Sequence, residues 1–314
     1  MSRAVVATAF GGPEVLAIID VADEAPGPGQ IAVDVRAAGV NPVDAKFYSG
    51  LFGTDAPLPM RLGMEASGVV SAVGADAVGP RGPIVVGDEV IMYRINGAYA
   101  DRVVVDAEAA LPKPSVMSFE EASGLMLTGA TAVHALAATG IERGDTVLIH
   151  GASGGVGQMA VQLAVARGAR VIGTTSAARH DVVRALGGDP VTYGDGLADR
   201  IRALAPDGVD ASIDTVGTDE AIDVSLELVA DRNRIATIAA FGRGSEAGIK
   251  VLGGGPGADP GTDLRNAARL ELVDLVAAGT LKVSVAAIYP MNEAEAAHRA
   301  ILTGHTAGKI ALVP

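Results

Sequence analysis

The chain has 314 residues, 49% hydrophobic and 19% charged, a length that suits two globular domains and a composition that excludes disorder. Its 24 basic and 37 acidic residues leave a net charge of −13, which opposes nucleic acid and anionic membrane as partners. There is no cysteine, so disulfides, thiolate metal sites, iron–sulfur clusters and a cysteine nucleophile are excluded.

The first apolar run is broken by Gly11, Gly12, Pro13 and Glu14 before it reaches the length of a signal-peptide core. No uninterrupted apolar stretch approaches the ~18 residues of a membrane span. The expectation is a soluble cytoplasmic protein. From residue 3 to 115 the signals are short and strand-like. The segment IAVDVRA alternates Ile31, Val33 and Val35 with Asp34 and Arg36, the pattern of a half-buried strand. ASGVVSAV, IVVGDEVIMY and ADRVVVDA follow, separated by Gly and Pro clusters, and predict an antiparallel sheet or partial barrel.

After Pro114 the texture changes. Ser118 and Glu121 stand at capping-box spacing and open a helical stretch toward Ala138. The strand DTVLIH, the helix QMAVQLAVAR and the strand ARVIGTTS come next, and the alternation continues through RIATIAA. That succession predicts parallel βαβ units in a doubly wound sheet. A glycine-rich stretch at 253–261 ends the region. The tail adds a helix, the strand LKVSVAAI, a helix opened by Asn292 with Glu295 at capping-box spacing, and the strand KIALV. It has one strand more than a simple cap requires, and is expected to pack back onto the N-terminal half.

The loop after VLIH reads GASGGVG. Ala152, Gly154 and Gly157 take the dinucleotide-fingerprint positions, with Ala replacing the first glycine. It follows a predicted strand, opens a predicted helix and sits in a βαβ unit of the right length, so it predicts a dinucleotide pyrophosphate on the helix N-terminus. An NAD site would have an acidic residue ~20 positions on, at the end of the second strand. Here that stretch reads GTTSAARHD, and Asp181 comes too late. Ser176, Arg179 and His180 suit a 2′-phosphate instead, and so predict NADPH.

These residues, together with AAGVNPVDAKFYSG, GMEASGVVSAVG, GDEV, VDASIDTVG and the ending YPMNEAEAAHRAILTGHTAGKIAL, resemble the zinc-independent medium-chain dehydrogenase/reductases, especially the NADPH:quinone oxidoreductases, or zeta-crystallin-like proteins. The resemblance covers nearly the whole chain. It implies a GroES-like β-rich catalytic domain over residues 1–121 and 261–314, a doubly wound Rossmann domain over 122–260, and a cleft where nicotinamide meets substrate. It also implies a homodimer, for which RIATIAA is placed to pair across a two-fold axis.

Zinc-dependent relatives carry a catalytic cysteine where this chain has Asn41 and a histidine where it has Met64. His134, His150, His180, His298 and His305 show no paired ligand spacing, so no metal is expected. Residue by residue, the resemblance puts Asn41 beside the nicotinamide ribose or the substrate, and Thr131 near the nicotinamide. Ser153, Gly154, Gly155 and Val156 would line the pyrophosphate. Thr175, Ser176, Arg179 and His180 would surround the 2′-phosphate, and Tyr193 the adenosine side. Thr215, Val216 and Gly217, with Ala239, Ala240 and Phe241, fall at strand ends where open α/β sheets bind ligands. His150, ending the strand before the loop, reads as a hydrogen-bonded structural histidine.

Many quinone reductases have Tyr where this chain has Lys46 and Arg where it has Tyr48, a departure in the substrate pocket. The expected activity is hydride transfer from NADPH to a quinone or an α,β-unsaturated carbonyl, a small uncharged electrophile. Asn41 and Tyr48 are the expected donors to the developing oxyanion, with Lys46 and Thr131 next. An enoyl thioester reductase and a non-catalytic NADPH-binding redox sensor are the alternatives.

Overall fold

Alternating burial along Ile31, Val33 and Val35, with Asp34 half-buried and Arg36 exposed, makes one long strand, Gln30–Val40, in the computed structural model. The structure describes all residues except Pro256, within the glycine-rich stretch, and His305, one of the five histidines. The chain divides into two units. The first is Met1–Leu127, Arg269–Gly279 and Val283–Pro314, and the second is Thr128–Ala268 with Thr280–Lys282. The expected boundaries at 121/122 and 260/261 lie a few residues before the divisions at 127/128 and 268/269, because helices Leu125–Ala138 and Thr262–Ala277 each run across one.

In the first unit Gln30–Val40 pairs antiparallel with Glu65–Val73 on one edge, and with Arg102–Asp106 and then Lys309–Val313 on the other. Glu89–Tyr93 and Ala110–Pro112 extend the sheet on one side and Val285–Pro290 on the other, the last running parallel to Lys309–Val313. The tail therefore completes the N-terminal sheet, as its surplus strand predicts. Ile31, Val33, Val70, Met92 and Tyr99 lie in the core, closed by Ala294 and Ala297 of the helix Ala294–Leu302.

The second unit holds a six-stranded, all-parallel sheet. Its order is Asp189–Thr192, Arg170–Thr175, Thr146–His150, Ala211–Asp214, Ile235–Thr237, Lys250–Val251. Val147, Leu148 and Ile149 are fully buried because helices cover both faces of such a sheet. Truncating Leu148 to Ala would cost ~2–5 kcal/mol. The chain reverses its direction of progression between Thr146–His150 and Ala211–Asp214. This opens a crevice at the carboxyl ends of those strands, the usual ligand position in open α/β sheets.

Four expectations change. The helix from Ser118 is two: the capping box forms, with Ser118 N–H donating to Glu121 (2.9 Å) and Glu121 N–H to Ser118 Oγ (3.2 Å), but Phe119–Ala122 stops before Leu125–Ala138. IVVGDEVIMY is a strand only over Glu89–Tyr93, since Val85 and Val86 are exposed in a turn that Asp88 closes onto the Val85 N–H (2.9 Å). Asn292 caps nothing: Met291–Glu293 forms a 3-10 turn, and Glu295 accepts instead from Arg299 Nε (3.0 Å). Finally, RIATIAA is a strand only over Ile235–Thr237, and both its edges are taken by Ala211–Asp214 and Lys250–Val251. It has no edge left to pair across a two-fold axis. Among the described residues no helix is long and apolar enough to cross a membrane.

Candidate active site

The glycine loop joins Thr146–His150 to the helix Gly155–Ala166. Gly151 turns the chain at φ +73°, and Gly154 sits extended at the helix N-cap and donates to the Gly151 carbonyl (2.9 Å). The first-turn N–H groups of such a helix have no carbonyl within it to bond and form an anion-binding end. Gly154, Gly155 and Val156 reach solvent there, while Ala152 and Ser153 are buried. A Cβ on Gly157 would stand 2.1 Å from the Gly151 oxygen, so only glycine lets the helix approach the loop. The alanine at the first fingerprint position is compensated across the sheet: its methyl lies 2.6 Å from where a Cβ on Gly173 would be. Thr175 donates to Ser153 Oγ (2.7 Å), and both hydroxyls are buried.

Beyond Thr175, Ser176, Arg179 and His180 are half-buried, whereas Asp181 is 98% exposed and paired with Arg184 (2.8 Å). The stretch 176–180 that follows this strand carries no carboxylate. His180 bonds Thr192 Oγ1 through Nε2 (3.0 Å), beside Tyr193, which is half exposed. Thr215 turns its hydroxyl onto the His150 carbonyl (2.7 Å), which seats the next strand end against the glycine loop. Val216 is exposed and Gly217 turns the chain at φ +85°.

These strand ends are organised by two buried groups that the sequence reading did not single out, Asp214 and Thr237. Asp214 Oδ1 accepts from the N–H groups of Val216 and Gly217 (both 2.9 Å) and Oδ2 from Thr237 Oγ1 (2.6 Å). Thr237 Oγ1 accepts in turn from Ala239 (3.1 Å) and Ala240 (2.9 Å). Phe241 opens the helix Phe241–Ala247 rather than ending a strand, and a Cβ on Gly255 would fall 2.8 Å from its ring. His150 bonds Ser225 Oγ (3.1 Å), and burial pulls its pKa down to about 4, in keeping with a structural histidine.

In the first unit the expected donors face inward. Asn41 is 1% exposed; its Nδ2 donates to Gly39 O (3.2 Å) and Glu65 Oε1 (3.0 Å), and its Oδ1 accepts from Lys309. Its amide is fully occupied, which corrects the expectation of a donor to substrate. Lys309 Nζ also reaches Glu65 Oε1 (3.0 Å) and Val40 O (3.1 Å), and Glu65 Oε2 accepts from Leu127 N–H (2.8 Å). Tyr48 is likewise 1% exposed, with its hydroxyl 2.9 Å from His298 Nδ1. Burial pushes the Tyr48 phenol up and pulls His298 down to about 4, so both stay neutral. Asp44 Oδ2 accepts from Asn41 N–H (2.9 Å) and Tyr99 OH (2.8 Å). Its Oδ1 is buried without a partner, and burial lifts its pKa to about 7.

Lys46 is half-buried, with its pKa lowered by burial, and Thr131 is buried on Leu125–Ala138. The residues at the zinc positions do not suit the metal. Asn41 already accepts from the Lys309 ammonium, Met64 offers only a thioether, and among the described residues no group of three His, Asp or Glu side chains could hold a metal ion.

A GroES-like sheet unit joined to a parallel-sheet nucleotide-binding unit defines the medium-chain dehydrogenase/reductase class. Residues 27–115 match the alcohol dehydrogenase GroES-like domain and residues 155–253 the zinc-binding dehydrogenase family. A quinone oxidoreductase of Pseudomonas aeruginosa is 32% identical over 100% of both chains. The mouse synaptic vesicle membrane protein VAT-1 homolog is 37% identical over 68% of this chain and 53% of its own, so the chain spans about half the length of that relative. Among solved structures, Escherichia coli quinone oxidoreductase complexed with NADPH has a TM-score of 0.85 at 30% identity, covering 99% of this chain and 100% of the other. An NAD-dependent alcohol dehydrogenase has a TM-score of 0.86 at 29% identity, covering 99% of each. The chain belongs to the quinone oxidoreductase family of medium-chain dehydrogenase/reductases.

Proposed function

We propose that this chain is an NADPH-dependent reductase that passes hydride to a quinone or to the β-carbon of an α,β-unsaturated carbonyl, without zinc. The observation that carries the reading is the phosphate cradle. The glycine loop leaves a helix N-terminus accessible, and the next strand ends on Ser176, Arg179 and His180 with no carboxylate. A 2′-phosphate wants donors and positive charge there, whereas a bare ribose wants an acceptor.

Bound in this cradle, NADPH supplies the hydride, and the protein's work is to hold it, exclude water and favour negative charge on the acceptor oxygen. Gly154, Gly155 and Val156 would take the pyrophosphate, Tyr193 the adenosine side and Thr131 the nicotinamide. With Asn41 and Tyr48 occupied inside the core, Lys46 becomes the candidate on the Pro42–Tyr48 helix for stabilising the oxyanion. Its ammonium sheds a proton more easily than an exposed lysine because burial disfavours the charge.

The test is a panel of quinones and enones assayed with both nicotinamides. NADPH oxidation at a kcat/KM at least ~10-fold above that with NADH is expected, unchanged by prolonged chelation. Equal efficiency with the two cofactors overturns the 2′-phosphate assignment. Tight NADPH binding without turnover of any acceptor points to a redox sensor, and activity lost on chelation and restored by zinc overturns the metal-free reading.

A further inference from the structure

The GroES-like unit keeps a carboxylate and an ammonium deep in its core: Glu65 is 0% and Lys309 4% exposed. The pair is built for. A Cβ on Gly39 would fall 2.7 Å from Glu65 Oε1, and one on Gly124 would fall 2.7 Å from Lys309 Cγ, so two glycines give the charged side chains their room. Buried ion pairs can often be replaced by apolar residues at no cost in stability. The clue to what this pair does lies in what its free valences hold.

Each Glu65 oxygen serves a different helix. Oε1 accepts from Asn41 Nδ2, and Asn41 N–H donates in turn to Asp44 at the start of Pro42–Tyr48 (2.9 Å). Oε2 accepts from Leu127 N–H (2.8 Å), in the first turn of Leu125–Ala138. Lys309 gives three donors to three acceptors, Glu65 Oε1, Asn41 Oδ1 and Val40 O. It orients the Asn41 amide toward the carboxylate. One ion pair thus sets the start of two helices, and the second carries Thr131 a turn further on.

We infer that Glu65 and Lys309 are positioning residues for the reductase reaction: the carboxylate fixes the helix starts that carry Lys46 and Thr131, and Lys309 holds the carboxylate and the Asn41 amide in place. This rests on the function proposed above. Neither residue touches substrate or cofactor; both act through the helices they hold.

The experiment compares Lys309→Met, which keeps the aliphatic stem, with the neutral pair Glu65→Gln/Lys309→Met. The single variant is expected to melt lower and to lose turnover, since it leaves an unpaired buried carboxylate. The double variant is expected to regain a melting temperature close to the parent's. Its kcat should stay ~10-fold or more below the parent's, with NADPH affinity by fluorescence unchanged, because the neutral amide holds Leu127 less firmly than a charged acceptor. Hydrogen exchange at the Leu127 amide should be ~10-fold faster in the double variant. Recovery of kcat together with the melting temperature would show that the pair serves stability alone. Should the parent reduce no acceptor, the proposed function fails by itself, and the exchange arm still decides: parent-like protection at Leu127 overturns the inference.

Discussion

The two units meet polar chemistry in opposite ways. In the parallel-sheet unit the groups proposed for the pyrophosphate are main-chain amides at a loop end, and what matters is the space around them: Gly157, Gly173 and Gly217 each stand where a Cβ would collide. In the GroES-like unit the polar groups of the segment after Gln30–Val40 are long side chains turned into the core, where Asn41, Asp44, Glu65, Lys309, Tyr48 and His298 bond one another. The first arrangement is sensitive to added volume and the second to added or lost protons. Substitutions of the same size should therefore fail for different reasons in the two halves.

The largest expected effect tests the spatial side. Gly157→Val would push a side chain into the Gly151 carbonyl, an overlap no rotamer relieves, and NADPH binding by fluorescence should weaken by about 100-fold or more. Near-normal affinity would mean that the loop is softer than its packing indicates.

Next comes the protonic side. Asp44 is lifted to about 7 from an ordinary 3.8 by burial, so between those values the folded chain holds a proton that the unfolded chain has released. Its ionisation therefore lowers stability as pH rises through that window, by up to about 4 kcal/mol. His298, pulled down to about 4 from 6.5 by burial, acts oppositely: the fold loses stability as pH falls through that range, because the unfolded imidazole takes up the proton. Asp44→Asn should therefore leave a melting temperature that falls more steeply on acidification from pH 7 to pH 4 than the parent's. An unchanged pH profile would show Asp44 ionised in the fold.

A third comparison returns to the nucleotide unit. Arg179→Ala should weaken NADPH by about 10- to 100-fold and leave NADH almost untouched, since a charge-assisted bond to phosphate is worth about 1.5–3 kcal/mol. Equal loss for both would make Arg179 a structural residue. The smallest effect is expected at Tyr48→Phe, where losing the bond to His298 should cost about 1 kcal/mol of stability, read from denaturant melts, and change turnover by less than about threefold. A tenfold loss of turnover would restore the phenol to the reaction.

The nucleotide unit was legible because its signals are local. The strand, the glycines and the helix of the loop lie within one βαβ unit, and the missing acid after Thr175 is readable from neighbouring letters. The GroES-like sheet was legible as strands, and its surplus tail strand foretold packing back onto the N-terminal half, which it does against Gln30–Val40. The polar cluster was not. Asn41 and Tyr48 read as donors because the family resemblance places their segment at the substrate, and nothing local shows that Glu65 and Lys309, 244 residues apart, come together to occupy the amide. A glutamate inside the small-residue run GMEASG and a lysine opening KIALV are faint clues, since charges at strand ends are usually solvated. Asp214 lies inside the family segment VDASIDTVG, yet its role depends on Thr237 from the next strand.

Lys309–Val313 lies inside the sheet, between Gln30–Val40 and Val285–Pro290. During synthesis Gln30–Val40 emerges early with part of one edge bare, and waits for a partner that comes last in chain order. The carboxylate of Glu65 likewise waits 244 residues for its cation. The nucleotide unit, drawn mostly from one continuous stretch, has its six strands out of the ribosome first. A nascent chain would thus carry a finished Rossmann unit while the other sheet still lacks Val285–Pro290 and Lys309–Val313, an opening for chaperones and for misassembly that closes only as those strands arrive.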